Sequence, residues 1–461
     1  MAEASSQSIV TNQPATGAVK KLGLVAATSL VIGNMIGSGI FLLPSSLAPY
    51  GLLSIGGWII TAFGAIMLAL VFAKLSQVIV GAGGPYAYSR VGFGDFAGFW
   101  VAWGYWIALW AGNAAIAVAF VGYVAAFFPG LNNNNLLSGA VAIALVWVLT
   151  FINLRGADLA GKVQSVSTVI KLIPLFAIGV FGLLAFNSAN LAQWTPTASQ
   201  PTPFFAINAV VALTLWSFLG LESATVATDT VENPTRTIPR ATLLGTLVVA
   251  VVYIVSSTAI LGVVPASQLE TSTFPFAAAA QALWGPAAFY FVAFCAAVSC
   301  LGALNGWTLC TPQVTMAVAD DKLFPAPFAR RSKANVPAWG MIVASILVTL
   351  MLALNYSGSK NAVQIFSFII LLATLTTLVP YVFCAMAELM IFFTDRKRFS
   401  GQRMGASIII AILAFIYSVY AIIGSGASTV LWGFILLLVG IPVYVWMRKN
   451  EIGRVAAEAK E

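Results

Sequence analysis

The sequence predicts an all-α polytopic membrane protein of about twelve transmembrane helices: a 5+5 inverted repeat with helices 1 and 6 broken, followed by two C-terminal helices. Three observations lead there. The 461-residue chain is 60% hydrophobic and only 8% charged, against about 25% charged in a soluble domain. Apolar stretches of about 20 residues, the length a spanning helix needs, follow one another with short interruptions. Two of them, the first and the sixth, are broken by glycine beside a polar residue.

Residues 1–19 are rich in Ser, Thr, Ala and Gln and are expected to form a disordered cytoplasmic tail. Lys20 and Lys21 precede an apolar run that is too long for a signal peptide, has no small-residue cleavage site and is followed by further spans. This first span, about 22–44, contains GNMIGSGIFLLP. Gly37, Ser38 and Gly39 fall at mid-membrane, where backbone unwinds only if it lines a cavity or is buried in protein. The alternative is close helix packing through Gly33 and Gly37.

Span 2 covers about 51–75, and the glycines and Pro85 of GAGGPYAYSRVGFGD (81–95) read as a re-entrant or surface connection. Span 3, about 96–128, carries Tyr105, Trp106, Trp110 and the amide Asn113, which needs partners once buried. Four asparagines at 132–135 mark a turn on the far side. Span 4 ends near 153–156. Span 5 carries Lys171, which either snorkels to the inner surface or is a buried ammonium bound to broken-helix carbonyls; both readings stay open.

The stretch 215–240, LWSFLGLESATVATDTVENPTRTIPR, organises the rest. Gly220 interrupts an apolar helix and Glu222 lies where a carboxylate is costly, so Glu222 is a functional-site candidate; a helix–helix hydrogen bond is the plainer reading. The chain leaves the membrane at 231–234 and returns at Pro239. Interrupted helices in matching positions of two halves point to an inverted repeat with a binding site between them. Repeat one is then about 22–186 and repeat two about 203–393, with helices at about 406–423 and 430–447 outside them. Together they make one transporter domain, 20–447, followed by a cytoplasmic tail, 448–461. In span 8, about 285–316, Gly302 and Gly306 allow close approach, and Trp307 either projects into a cavity or packs. Span 10 carries Pro380, Tyr381 and Glu388.

The net charge is +8, but its distribution carries more information than its size. With the N-terminus inside, twenty of the 22 Lys and Arg residues fall in or beside cytoplasmic segments, Lys171 and Lys360 being the exceptions. Both termini are therefore expected in the cytoplasm. Cys295, Cys300, Cys310 and Cys384 all fall in spans without metal-site spacing and read as packing residues. With no histidine, any proton coupling must use carboxylates, lysine, tyrosine or water. There is no His/Cys metal cluster, nucleotide loop or large extramembrane module, so an enzyme is not expected, and neither a cofactor nor a metal is predicted.

GNMIGSGIFLLP, WSFLGLESA, ENPTRTIP and LGALNGWTL with ADDKLFP resemble the amino acid–polyamine–organocation superfamily over about residues 20–450, specifically the basic amino acid/polyamine antiporters. The likeness is to bacterial arginine/agmatine and putrescine/ornithine exchangers. It implies a LeuT-like fold in the bacterial cytoplasmic (inner) membrane and exchange of a cationic amino acid for its decarboxylated amine by alternating access. A proton-coupled importer using Lys171 in place of a sodium ion is the alternative.

The resemblance places substrate-carboxylate binding on the backbone N–H groups of Ser38 and Gly39, with Asn34 one turn earlier. It places stacking on Trp216 and Trp307, a wall position at Leu219, a side-chain hydrogen bond at Asn113, and the inner gate at Tyr105 and Glu222, with Glu222 proton-linked. Two residues depart from the nearest patterns: Lys171 resembles a lysine of other superfamily branches, and Tyr88 stands where the putrescine exchanger has a glutamate. The expected partners are an amino acid or polyamine substrate and the lipid bilayer. A homodimer is left open, and nucleic acid is not expected.

Overall fold

The computed structural model describes residues 22–79, 83–156, 158–226, 231–396 and 404–458. Among them regular structure is helical apart from one isolated bridge, Leu22 with Val231. Such a fold follows from the solvent: in hydrocarbon each backbone N–H and C=O needs a partner within the chain, and a helix supplies it locally. The expected tail at 1–19 lies outside the described residues.

Span 1 is two helices, α1 (Leu24–Met35) and α2 (Ser38–Leu47), meeting at Ile36 and Gly37 with a bend of 40°. Then come α3 (Leu52–Val78), the short α4 (Pro85–Phe93), α5 (Asp95–Val124), α6 (Asn135–Leu154) and α7 (Asp158–Leu184). The second half opens with another interrupted helix. α8 (Pro203–Leu215) tightens into a 3₁₀ turn at Trp216–Phe218, Leu219 is extended, Gly220 takes φ 102°, and α9 (Ser223–Val226) resumes. It continues with α10 (Pro234–Val263), α11 (Ala266–Leu269), α12 (Pro275–Trp284), α13 (Pro286–Asp320), α14 (Ala338–Tyr356) and α15 (Ala362–Thr394). α16 (Met404–Gly424) and α17 (Ala427–Glu458) complete the chain.

Two boundaries differ from the sequence reading. α10 begins at Pro234 rather than near Pro239, because a proline at the first helical position has no hydrogen bond to lose. α17 continues as helix to Glu458, into the segment read as the C-terminal tail.

Among the described residues nine helices are long and apolar enough to cross a membrane, and the bent α1–α2 pair makes a tenth. The shorter apolar segments Ile170–Leu184 and Pro203–Phe218 fall where spans 5 and 6 are expected. The two halves use the same pairings with the partners exchanged: α1 packs on α10 as α3 packs on α8, and α5 packs on α15 as α13 packs on α7. Their joints match as well. α4 reaches α5 through Gly94 (φ 87°, ψ −177°), and α12 reaches α13 through Gly285 (φ 86°, ψ −174°). Both glycines occupy a backbone region that other residues avoid.

The centre of the bundle is α5, whose most apolar stretch is 89% buried, whereas that of α17 is only 17% buried. Phe176, Leu184 and Leu354 are exposed on the outside, as suits a surface wetted by acyl chains. Close approach depends on small residues: a Cβ added at Gly64 of α3 would fall 2.2 Å from the ring of Tyr417 on α16. The two ends of the bundle differ in charge. Arg90, Arg155, Arg236, Arg240, Arg330 and Arg331 lie at one, whereas the loops at the other carry only Glu270 and Lys360.

Candidate central cavity

The two broken helices meet on a small cavity of about 40 Å³ between them, α5 and α13. Nine of the ten residues singled out from the sequence line it: Asn34, Ser38, Gly39, Tyr105, Asn113, Trp216, Leu219, Glu222 and Trp307. The tenth, Lys171, lies behind α1. Ser217 and Thr377 also line the cavity and carry no signal in the sequence, because a hydroxyl in a span commonly just bonds its own helix.

One wall is the start of α2. Gly37 leaves helical geometry (φ −126°, ψ −141°) and no side chain caps the helix, so its first N–H groups have no helical acceptor. Such an end favours negative charge. Around it the Ser38, Ser217 and Asn113 side-chain oxygens are buried and lack a hydrogen-bond partner among the described residues. Asn113 is oriented by its other end, Nδ2 donating to Thr311 Oγ1 at 3.3 Å.

Two indoles form the apolar walls, each made possible by a missing Cβ. One added at Gly112 would fall 2.7 Å from the Trp216 ring, and one at Gly39 would fall 3.0 Å from the same ring. At Gly220, which already needs its positive φ, it would fall 3.2 Å from Trp307. The glycines that break the helices therefore also seat the aromatics.

Among the described residues Glu222 is the only formally charged side chain lining the cavity. It is 1% exposed and accepts three hydrogen bonds: Tyr105 Oη donates to Oε1 at 2.5 Å, and Tyr381 Oη and the Gly220 N–H donate to Oε2 at 2.7 and 3.2 Å. Tyr381 is a partner the sequence did not assign; only its place after Pro380 in span 10 marked it. The carboxylate ties α5 and α15 to the break in the second half.

Lys171 resolves the alternative left open for it. Its side chain is fully buried and its ammonium donates to Gly33 O at 2.7 Å and Ile36 O at 2.5 Å, while Tyr253 Oη donates to Met35 O at 2.7 Å. Three carbonyls around the end of α1, which carries the negative end of its dipole, thus receive side-chain donors. It does not snorkel to the surface.

At the basic end a polar cluster joins four elements. Tyr86 Oη of α4 donates to Asp321 at 2.6 Å, and Arg90 pairs with Asp321 at 2.8 Å and Asp95 at 2.9 Å. Arg448 of α17 reaches Asp95 at 3.2 Å. Burial, together with the Asp321 carboxylate, holds the Tyr86 phenol well above its ordinary pKa, so it remains a donor throughout the physiological range. Apart from both sites, Lys74 lies 3.4 Å from the fully buried Glu388.

Comparison with known proteins fits this architecture. Residues 22–447 match the family model described as amino acid permease. The putrescine transporter PotE of Escherichia coli K12 is 34% identical over 426 residues, covering 92% of this chain and 95% of its own length. The cadaverine/lysine antiporter of the same strain is 35% identical over 431 residues, covering 92% and 94%. The PotE of Haemophilus influenzae is 34% identical over 425 residues, covering 92% and 96%. This chain, with its two broken helices facing one cavity, belongs to the amino acid permease family, within the basic amino acid/polyamine antiporters of the amino acid–polyamine–organocation superfamily.

Proposed function

We propose that the protein is a secondary active transporter of the bacterial inner membrane that exchanges a cationic amino acid for its decarboxylated amine by alternating access. The observation that carries this reading is the pairing of opposites in one cavity: a free helix N-terminus at Ser38 and Gly39 faces a space whose sole charged side chain among the described residues is Glu222. An amino acid with a cationic side chain satisfies both poles. A diamine satisfies Glu222 and leaves the helix end to solvent, which allows the same site to hold either molecule in turn.

In this mechanism Ser38 and Gly39 bind the α-carboxylate through their N–H groups, with Asn34 and Ser217 flanking them. Trp216 and Trp307 stack on the aliphatic and cationic chain, a face-on contact worth about 0.5–2 kcal/mol. Leu219 and Asn113 set the length and polarity of the wall. Glu222, held by Tyr105 and Tyr381, is the inner gate and the proton-linked group: an arriving ammonium draws the carboxylate away from its tyrosines and loosens the tie between the halves. Lys171 serves as a fixed cation at the α1 break. The basic end faces the cytoplasm, with both termini, in accord with the positive-inside rule.

The substrate class follows the relatives' names, putrescine for one and cadaverine with lysine for another. Purified protein in liposomes loaded with lysine, ornithine or arginine should take up labelled lysine, putrescine or cadaverine only against an internal substrate. Equal uptake into empty vesicles contradicts exchange, and accumulation driven by a pH gradient alone identifies a proton-coupled importer instead.

A further inference from the structure

A second cavity, of about 590 Å³, lies at the neutral end between the end of α5, the start of α6, α12 and the loop from α14 to α15. Its polar lining is dominated by neutral groups, among them Asn132, Asn135, Gln268, Gln281 and Asn361, and its one charged side chain among the described residues is Lys360. The Lys360 ammonium is held over the Phe368 ring, 4.4 Å from its centre, and among the described residues no carboxylate lies within ion-pair distance of it. Tyr356 also lines the cavity, is 3% exposed, and has a buried hydroxyl with no hydrogen-bond partner among the described residues. The cavity stands in line with the central one: α5 presents Asn113 and Ile116 to the first and Val121 and Gly122 to the second. At 1.5 Å per residue that is a step of about 8 Å along the helix from Ile116 to Val121.

A lysine in the lining, an unpartnered hydroxyl and a surround of amides suit a molecule that carries a carboxylate as well as ammonium groups. They disfavour a molecule whose only charges are ammonium groups, which Lys360 repels. We propose that this vestibule is a recognition site for amino acids, with the α-carboxylate at Lys360 and Tyr356 and the ammonium groups on the amides, and that it ranks the amino acid above the diamine before either reaches the central cavity. The inference rests on the exchange reading above and adds a direction to it. Amino acid is admitted preferentially from the neutral end, and the amine leaves there without being retained.

The test compares lysine with cadaverine at each face. In cells expressing the full chain, external KM values are measured for both; inverted membrane vesicles give the same values at the other face. Lys360→Glu should raise the lysine KM and lower the cadaverine KM in intact cells, each by about 30-fold, the effect of reversing one unit charge at about 4 Å in water. Tyr356→Phe should raise only the lysine KM, and neither substitution should move the ratio in inverted vesicles. An unchanged ratio in intact cells, or an equal shift at both faces, overturns the proposal. A readout independent of exchange is equilibrium binding to purified Trp216→Ala/Trp307→Ala protein, which lacks the stacking faces of the central cavity. Residual lysine binding abolished by Lys360→Glu supports the vestibule even if counterflow fails and the exchange reading falls; residual binding indifferent to Lys360→Glu overturns the vestibule even if counterflow succeeds.

Discussion

Replacing Glu222 with Gln removes the only charge that the described residues bring to the central cavity while keeping its shape. The carboxylate accepts from Tyr105, Tyr381 and the Gly220 N–H at 2.5, 2.7 and 3.2 Å. An amide offers one oxygen and one NH₂ in its place, so it can still accept from one tyrosine, but the other must turn its hydroxyl round and accept. A substrate ammonium about 4 Å from the carboxylate gains roughly 4 kcal/mol at an effective dielectric constant of 20. Desolvating both groups cancels part of this. A net loss of about 1.5–3 kcal/mol, the scale of a charge-assisted hydrogen bond, is therefore expected, equivalent to roughly 10- to 150-fold weaker diamine binding. Equilibrium binding of labelled cadaverine and initial exchange rates between about pH 6 and pH 8 measure it. The variant should bind weakly at every pH and show a flat profile, because an amide does not titrate, whereas Glu222→Asp should keep part of the profile. Affinity within twofold of the parent with an unchanged profile would refute the assignment and leave Glu222 as a structural knot between α5, α15 and the second break.

Trp307→Ala should weaken binding by about 0.5–2 kcal/mol at every pH, since a lost stacking face does not titrate; isothermal titration of lysine over the same pH range decides this. Lys171→Met leaves the Gly33 and Ile36 carbonyls unpartnered, at about 1–3 kcal/mol each, so a clear fall in the melting temperature of detergent-solubilised protein is expected along with loss of exchange. An unaltered melt and an unaltered exchange rate would show that those carbonyls need no cation. Lys74→Met strands the buried Glu388 carboxylate and should destabilise by about 3–5 kcal/mol; the Lys74→Met/Glu388→Gln double variant should recover most of it in the same melt. Asp321→Asn removes the negative charge shared by Tyr86 and Arg90. It should make a cysteine placed at the basic end of the cavity label faster with a water-soluble maleimide, and identical labelling would exclude that cluster from closure.

The fold was legible because a bilayer leaves the backbone few choices and because polar groups in hydrocarbon are expensive. Gly37–Ser38–Gly39 and Gly220–Glu222 stood out for that reason, and they are the two breaks on the cavity. Tyr381 was not legible as a partner of Glu222, since aromatics fill spans for packing and only the register of α15 against α5 turns this one inward. The placement of Lys171 was undecidable from sequence: its stem is long enough to reach the surface or a neighbouring helix, and the choice depends on the carbonyls that the α1 break leaves free. The vestibule at the neutral end was equally silent, because it is built from helix ends and loops that are distant in the chain.

Gly94 and Gly285 give the two halves one and the same joint, pointing opposite ways through the membrane. At these joints the backbone supplies a balance with equal arms and prefers neither facing. Any tilt of the empty protein comes from what the halves do not share, α16 and α17 among it, and the side chains at the two ends. One end carries a knot of Tyr86, Arg90, Asp95, Asp321 and Arg448, the other amides and hydroxyls. Those ion pairs are about one-third exposed and therefore feel dissolved salt. The ionic strength at the basic face then acts as a weight on one arm only, setting how often the unloaded carrier opens there.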